Sequence, residues 1–172
     1  GIRLAGGTLQ YTGSQLVDTR QFTFAGSGGA LDVPSAGSNL SISGYNAITG
    51  AGNLTKTGPG WLSIGGPSDA VGNWTLNGGV TQISNPTALG SGAVTINSGA
   101  ELSSATPGAI ANPITLRAGA TLSANISSGG STTAIFAGNI TAAGAFNLRP
   151  TDPAGNTQNI ILNHNGHITM DS

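Results

Sequence analysis

Residues 88–123 read ALGSGAVTINSGAELSSATPGAIANPITLRAGATLS and contain one pattern twice. Each copy has a short segment in which apolar residues alternate around a Thr, then a Gly corner, then a second segment that ends in Leu-Ser. Ile96 and Leu116 are equivalent positions, as are Leu102 and Leu122, and both pairs lie 20 positions apart. Alternation with period 2 indicates strands with one buried and one solvated face. A repeat near 20 residues predicts the coils of a β-solenoid, in which each apolar row is buried against the next.

The composition of the chain is rich in glycine and poor in charge. Of 172 residues, 29 are Gly, 37% are hydrophobic, 6% are charged and none is Cys. A disordered chain this rich in Gly lacks regular apolar positions, so the Gly residues are assigned to turns of an ordered fold. A net charge of −1 offers no electrostatic footprint for nucleic acid or an anionic membrane. We therefore expect neither partner.

The sequence also lacks the hydrophobic segments that direct or anchor a protein in a membrane. No apolar run approaches the roughly 20 residues that span a bilayer, and no charged-then-apolar signal opens the chain. We therefore expect a mature or excised segment without membrane insertion. A Cys-free composition rich in Thr, Ser, Asn and Gly is usual for exported bacterial surface proteins.

The same alternation extends to both ends of the chain. Leu9, Leu31 and Leu54 follow one another at intervals of 22 and 23 residues, and Leu122 precedes Phe146 by 24. These intervals stay close to 20, so the repeat is predicted to persist to both ends with a longer corner after Leu122, while the polar residues 14–20 are predicted to form a loop. The whole chain, 1–172, is therefore predicted to be a single solenoid domain, whose repeat core comprises Leu31, Leu54, Leu62, Ile64, Leu76, Val94, Ile96, Leu102, Ile114, Leu116 and Leu122.

Residues 50–66, GAGNLTKTGPGWLSIGG, contain two predicted strands, 53–57 and 61–64, separated by Gly-Pro-Gly. The pattern resembles the passenger repeat of bacterial autotransporters, also called the autotransporter-associated β-strand repeat. Trp61 and residues 67–73 depart from that repeat. The matching residues are Gly50, Gly52, Leu54, Thr55, Lys56, Gly58, Gly60, Leu62 and Ile64.

The resemblance, which covers most of residues 4–123, implies a right-handed parallel β-helix with three faces per coil. At about 22 residues per coil the chain would form about 7 to 8 rungs, and a rod about 35 Å tall. The resemblance further implies an extracellular location on the bacterial cell surface. We expect a non-enzymatic structural element: a stalk, an adhesin passenger or a fibre subunit. The alternative is a carbohydrate-binding or polysaccharide-cleaving β-helix.

The two ends of the predicted solenoid expose unpaired strand edges above an apolar core, which natural solenoids cover with a cap or a charged edge. Strand-like segments open and close this chain without such a cap. We expect either head-to-tail stacking of copies into an open filament or contact with neighbouring repeats of a longer passenger. The candidate stacking residues are Ile2, Leu4, Ile168 and Met170.

The six carboxylates are spread along the chain, at most about one per coil. General acid–base chemistry needs two titrating groups near one bond, and Asp32 and Glu101 would meet only by accident of register. We therefore predict no catalytic residues. The carboxylates are Asp18, Asp32, Asp69, Glu101, Asp152 and Asp171.

Two motifs resemble metal sites without completing one. His164 and His167 flank a tight turn but lack a third ligand. Residues 28–33 resemble a calcium-binding nonapeptide but occur once and lack its fourth-position glycine. We therefore predict no metal and no cofactor.

Several polar and aromatic residues have a structural and a functional interpretation. The outward hydroxyls predict a single ladder in which Thr alternates with Ser, too narrow for ice binding. Trp61 and Trp74 are predicted to pack in the core or at corners, although an exposed Trp would favour carbohydrate binding. Asn-x-Ser/Thr sequons are interpreted as corner residues. The ladder comprises Thr23, Ser41, Ser63, Thr75, Thr95 and Thr115, and the sequons begin at Asn39, Asn53, Asn73, Asn125 and Asn139.

Overall fold

A computed structural model describes residues 1–125, 133–150, 157–162 and 168–170. These residues form 21 short strands joined by turns. None of them belongs to a helix that could cross a membrane.

The strands follow one another in eight groups, of which the first seven each make one coil and the strands of the eighth make part of one. The first three coils have three strands each: β1 (Ile2–Leu4), β2 (Thr8–Gln10), β3 (Gln15–Asp18); β4 (Phe22–Phe24), β5 (Gly29–Asp32), β6 (Asn39–Ile42); and β7 (Ile48–Thr49), β8 (Leu54–Thr57), β9 (Trp61–Ile64). The next two have two strands each: β10 (Trp74–Leu76), β11 (Gly79–Ile83); and β12 (Val94–Ile96), β13 (Ala100–Ser104). The last are β14 (Ala109–Ile110), β15 (Ile114–Arg117), β16 (Thr121–Ala124); β17 (Thr133–Phe136), β18 (Ile140–Ala143), β19 (Asn147–Arg149); and β20 (Asn159–Leu162), β21 (Ile168–Met170).

Equivalent strands of successive coils pair in parallel to form three sides. One side is an eight-stranded sheet of order β2-β5-β8-β10-β12-β15-β18-β21, and the second is a seven-stranded sheet of order β3-β6-β9-β11-β13-β16-β19. The third side carries two short sheets, β1-β4-β7 and β14-β17-β20. The predicted parallel β-solenoid is thus confirmed, with about seven turns.

The core is built from columns of apolar side chains that run along the solenoid axis. Ile96 pairs with Leu116 and Leu102 with Leu122, which is the register that the 20-residue interval predicts. All eleven side chains of the predicted repeat core are at most 2% exposed. Each of them gives roughly 1.5–3 kcal/mol of transfer free energy on burial, so these columns are a principal source of stability.

In two places the paired residues lie further apart in sequence than the apolar intervals, and a predicted loop contains a strand. Leu31 pairs with Lys56, not with Leu54, and Leu122 pairs with Leu148, not with Phe146. In both cases the paired residues are two positions further apart than the apolar interval, and period-2 alternation is unchanged by a shift of two residues. Residues 14–20 contain strand β3, which pairs with β6 despite its polar sequence.

The third side has no strand in the fourth and fifth coils, where Trp74 occupies the core. Trp74 is 1% exposed, and its indole N–H donates a hydrogen bond to the Leu89 carbonyl oxygen at 3.0 Å. The backbone nevertheless continues the ladder, since the Asp69 N–H donates to the Ile48 carbonyl and the Ser91 N–H to the Ala70 carbonyl. The indole N–H thus finds the acceptor that a buried Trp requires in a backbone carbonyl of the third side.

Candidate functional site

The lysine of the repeat motif points into the core of the solenoid. In strand β8, Leu54 and Lys56 are two residues apart and therefore share the inward face. Lys56 is 0% exposed and lies in register between Leu31 and Leu76. The alternation that places Leu54 inside also places Lys56 inside, so the sequence contained the signal for this burial. The core position of Lys56 was not predicted because a lysine is rarely buried.

The Lys56 ammonium group is held by backbone carbonyl oxygens at a corner of the coil. Its Nζ donates hydrogen bonds to the carbonyls of Thr57 at 2.8 Å, Gly58 at 2.9 Å and Gly78 at 3.3 Å. Gly58 and Gly78 stand at the same corner of consecutive coils, so one side chain links both turns. Three acceptors match the three donors of an ammonium group, and we call this arrangement the lysine corner.

Burial lowers the pKa of Lys56 to about 8, because the charged form is poorly solvated in the core. The negative charge of Asp32 acts in the opposite direction. Asp32 lies on the outer face of the eight-stranded sheet, where it accepts hydrogen bonds from Gln10 Nε2 at 2.7 Å and Thr57 Oγ1 at 2.9 Å. These two hydrogen bonds, of which the Gln10 bond has the larger effect, hold the pKa of Asp32 below its ordinary value.

The glycines of the motif let successive coils approach closely at the lysine corner. Gly58 has a φ of +76°, and a Cβ at this position would collide with the Val33 carbonyl. A Cβ at Gly60 would collide with the Ser35 carbonyl. The Lys-Thr-Gly-x-Gly spacing is thus explained by stacking: glycine at the close approach and lysine to satisfy the corner carbonyls.

The carboxylates of the described residues do not converge on one site. Asp32 lies on the eight-stranded sheet, whereas Glu101 lies on the seven-stranded sheet three coils away. Glu101 accepts a hydrogen bond from Ser123 Oγ at 2.5 Å and is paired with Arg149. Asp152 and Asp171 lie outside the described residues.

Asp18 and Asp69 occupy two further places. Asp18 forms an ion pair with Arg20, whose nitrogen lies 2.6 Å from the carboxylate and whose hydrogen bonds lower the pKa of Asp18. Asp69 lines a shallow groove of about 380 Å³ on the third side, between residues 68–71 and 87–91. The groove lining offers one carboxylate and no second acidic or basic group, and acid–base cleavage of a glycosidic bond uses two.

The predicted hydroxyl ladder is divided among three sides of the solenoid. Thr23 lies on the third side and Ser41 and Ser63 on the seven-stranded sheet, so the prediction of one mixed column is wrong. Alternation distinguishes outward from inward but does not identify the side. The eight-stranded sheet instead carries an outward column without serine: Thr8, Ala30, Thr55, Thr75, Thr95, Thr115, Thr141 and Thr169.

Asparagine side chains of two sequons bond to the neighbouring coil. Asn53 Oδ1 accepts from the Asn73 N–H at 2.9 Å, and Asn73 Oδ1 accepts from the Ala93 N–H at 3.0 Å. A second amide ladder joins Asn97 to Asn77 at 2.6 Å. These contacts agree with the interpretation of the sequon asparagines as corner residues.

The two tryptophans lie in different environments. Trp74 is in the core, as one of the two interpretations expected. Trp61 is the first residue of β9 and points outward from the seven-stranded sheet, partly buried, while Leu62 and Ile64 point inward. Trp61 is therefore not a core residue; it directly follows the Gly58-Pro59-Gly60 corner, and its position in the alternation faces outward.

The described residues contain no cluster of three or more His, Cys, Asp or Glu side chains that could hold a metal ion. His164 and His167 lie outside the described residues. In residues 28–33 the Asp32 carboxylate is engaged by Gln10 and Thr57 rather than turned toward a loop of further carboxylates.

The candidate stacking residues lie in edge strands of the described structure. Ile2 and Leu4 in β1 are partly buried, whereas Ile168 and Met170 in β21 are 44% and 61% exposed. β1 is an edge strand of its third-side sheet, and β21 is an edge strand of the eight-stranded sheet. Both positions combine apolar side chains with unpaired backbone groups.

The chain is similar to a segment of a bacterial adhesin. It is 35% identical over 136 residues to the autotransporter adhesin BmaC of Brucella suis biovar 1 (strain 1330). The alignment covers 79% of this chain but 4% of that protein, so the chain spans a small fraction of its relative's length. No protein-family model and no solved structure matches the chain. The β-solenoid and this similarity together fit an autotransporter passenger repeat.

Proposed function

We propose that this chain forms a β-helical segment of the passenger of a bacterial autotransporter adhesin, acting as a non-enzymatic structural element at the cell surface. The observation that carries the proposal is the continuous parallel ladder of about seven turns in a chain similar to an autotransporter adhesin. Polar outer columns of Thr and Asn suit an exposed rod, and the separation of Asp32 from Glu101 favours a structural role over polysaccharide cleavage.

Surface exposure of the full-length protein tests this function. An antibody raised against the purified chain should label intact cells that express the protein, and external protease should remove the label. Labelling that requires permeabilised cells would contradict a surface role. As a control for cell integrity, an antibody against a cytoplasmic protein should give no signal in the same preparation.

We also propose that adjoining coils of the same long passenger cover both edges of this segment. The small share of the relative that the chain spans supports this occupant. Adjoining coils would pair with the edge strands and bury side chains such as Ile168 and Met170, which are now exposed. A second copy stacked head to tail would use the same edges, and it would build an open filament.

Sedimentation and electron microscopy of the purified 172-residue chain distinguish the two occupants. A species that stays monomeric at high concentration supports adjoining coils. Filaments that lengthen with concentration and disappear in the Ile168→Lys variant support stacking of copies and would overturn the proposal of adjoining coils. Thr95→Lys, which adds the same charge to a solvent-facing position away from the edges, is the matched control.

A further inference from the structure

We propose that the outer face of the seven-stranded sheet around Trp61 binds a neutral oligosaccharide, with the Trp61 indole as its stacking platform. The proposal concerns residues Asn39, Trp61, Ser63, Val80 and Gln82, which we call the Trp61 patch. This proposal adds a ligand class to the proposed adhesin segment. It depends only on the Trp61 patch and not on the surface location, so it is tested on the isolated chain.

The stacking of coils does not by itself require an aromatic side chain at position 61. Trp61 belongs to an outward column in which the other coils carry polar, charged or aliphatic residues, and those coils also pair in parallel. The Trp61 indole is partly buried and points outward from the sheet, and such a ring offers a large, rigid apolar surface together with a polar N–H group. The column comprises Gln15, Asn39, Trp61, Val80, Glu101, Thr121 and Asn147.

The Trp61 patch combines an apolar surface with unused hydrogen-bonding groups. Val80 is partly buried beside Trp61 and extends the apolar surface into the next coil. Asn39 Oδ1 accepts a hydrogen bond from Ser63 Oγ at 3.1 Å, which orients the amide. Within the described part of the chain, the Trp61 indole N–H, the Asn39 amide N–H groups and the Gln82 amide make no hydrogen bond. These groups remain able to bind a ligand.

The chemistry of the patch matches a sugar chain. The C–H face of a pyranose ring is apolar and stacks on an indole, while hydroxyl groups pair with side-chain amides. Adjacent coils are about 4.8 Å apart, so Asn39, Trp61 and Val80 together span a length comparable with a disaccharide.

The charge and size of the Trp61 patch favour a neutral oligosaccharide over an acidic glycan or a second protein copy. The patch contains no charged side chain, and Glu101 in the next coil is already paired with Arg149. Acidic glycans therefore gain no electrostatic attraction here. A second protein copy would need about 800 Å² per partner for a stable interface, more than five neighbouring side chains supply. A single aromatic platform predicts weak binding, with a Kd on the order of 1 mM.

Nuclear magnetic resonance of the two indole N–H groups provides the test, because Trp74 is a buried internal reference bonded to Leu89. The chain is titrated separately with β-1,4-linked glucose and N-acetylglucosamine tetrasaccharides. The Trp61 signal should shift in a saturable manner with at least one of them, while the Trp74 signal stays in place. Trp61→Val should weaken binding at least tenfold, whereas Trp61→Phe, which retains a stacking ring, should stay within about fivefold.

The control variant is Thr75→Val, which lies on the eight-stranded sheet and should bind as the unaltered chain does. Absence of a saturable shift with both tetrasaccharides would overturn the proposal, as would equal affinity in Trp61→Val. Binding restricted to a sulfated tetrasaccharide would also overturn it. If Trp61→Val fails to fold, the wild-type shifts and the Trp61→Phe affinity decide the matter. None of these outcomes alters the surface-labelling result that tests the passenger role.

Discussion

Replacing two neighbouring residues of strand β12 by Asp tests the inward and outward faces of the solenoid. Ile96 is 0% exposed and stacks between Leu76 and Leu116 in the core, whereas Thr95 points outward between Thr75 and Thr115. Ile96→Asp and Thr95→Asp therefore introduce the same group one residue apart, on opposite faces of one strand.

The inward substitution should cost at least about 4 kcal/mol of unfolding free energy. Loss of the buried Ile side chain contributes roughly 1.5–3 kcal/mol, and an unpaired carboxyl group in the core adds a few kcal/mol. The outward substitution should cost at most about 1 kcal/mol, the span of strand propensities.

Urea denaturation followed by circular dichroism measures both variants, and hydrogen exchange shows whether the loss is confined to neighbouring coils, as nearest-neighbour stability of a solenoid predicts. Equal effects of the two substitutions, or a larger effect of Thr95→Asp, would refute the assignment of faces.

Three further predictions concern the lysine corner and the interrupted third side. Relative to the Lys56→Met variant, the unfolding free energy of the wild type should rise by up to about 3 kcal/mol between pH 7 and pH 10.5. Folding lowers the Lys56 pKa from 10.5 to about 8, so in this range the folded state binds fewer protons than the unfolded chain. A difference that does not change with pH would contradict burial of the charge. Gly58→Ala should lower the melting temperature more than Gly26→Ala, since both glycines have positive φ but only Gly58 faces a backbone carbonyl; equal melting temperatures would refute the close approach. Trp74→Phe should lower the unfolding free energy by about 1–3 kcal/mol and speed hydrogen exchange around residue 89, because the Leu89 carbonyl loses its indole donor. Unchanged exchange there would show that this hydrogen bond does not stabilise the third side.

Much of the fold followed from local pattern. The 20-residue interval gave the pairing of Ile96 with Leu116 and of Leu102 with Leu122, because the corners between these coils have equal length. The strands flanking Gly58 were also predicted within one residue of β8 and β9. At this level, alternation is sufficient because each strand needs one buried face.

The sequence by itself determined that the chain forms stacked parallel coils with apolar columns inside and hydroxyl or amide columns outside. Only the tertiary structure decided which side each strand occupies, so Thr23 and Thr95 lie on different sides and Leu31 meets Lys56. It also placed Trp61 on an outer face and the Lys56 ammonium against corner carbonyls of two coils. The physical reason is that alternation fixes inward and outward positions, whereas the side and the register depend on corner lengths and on which backbone groups need partners.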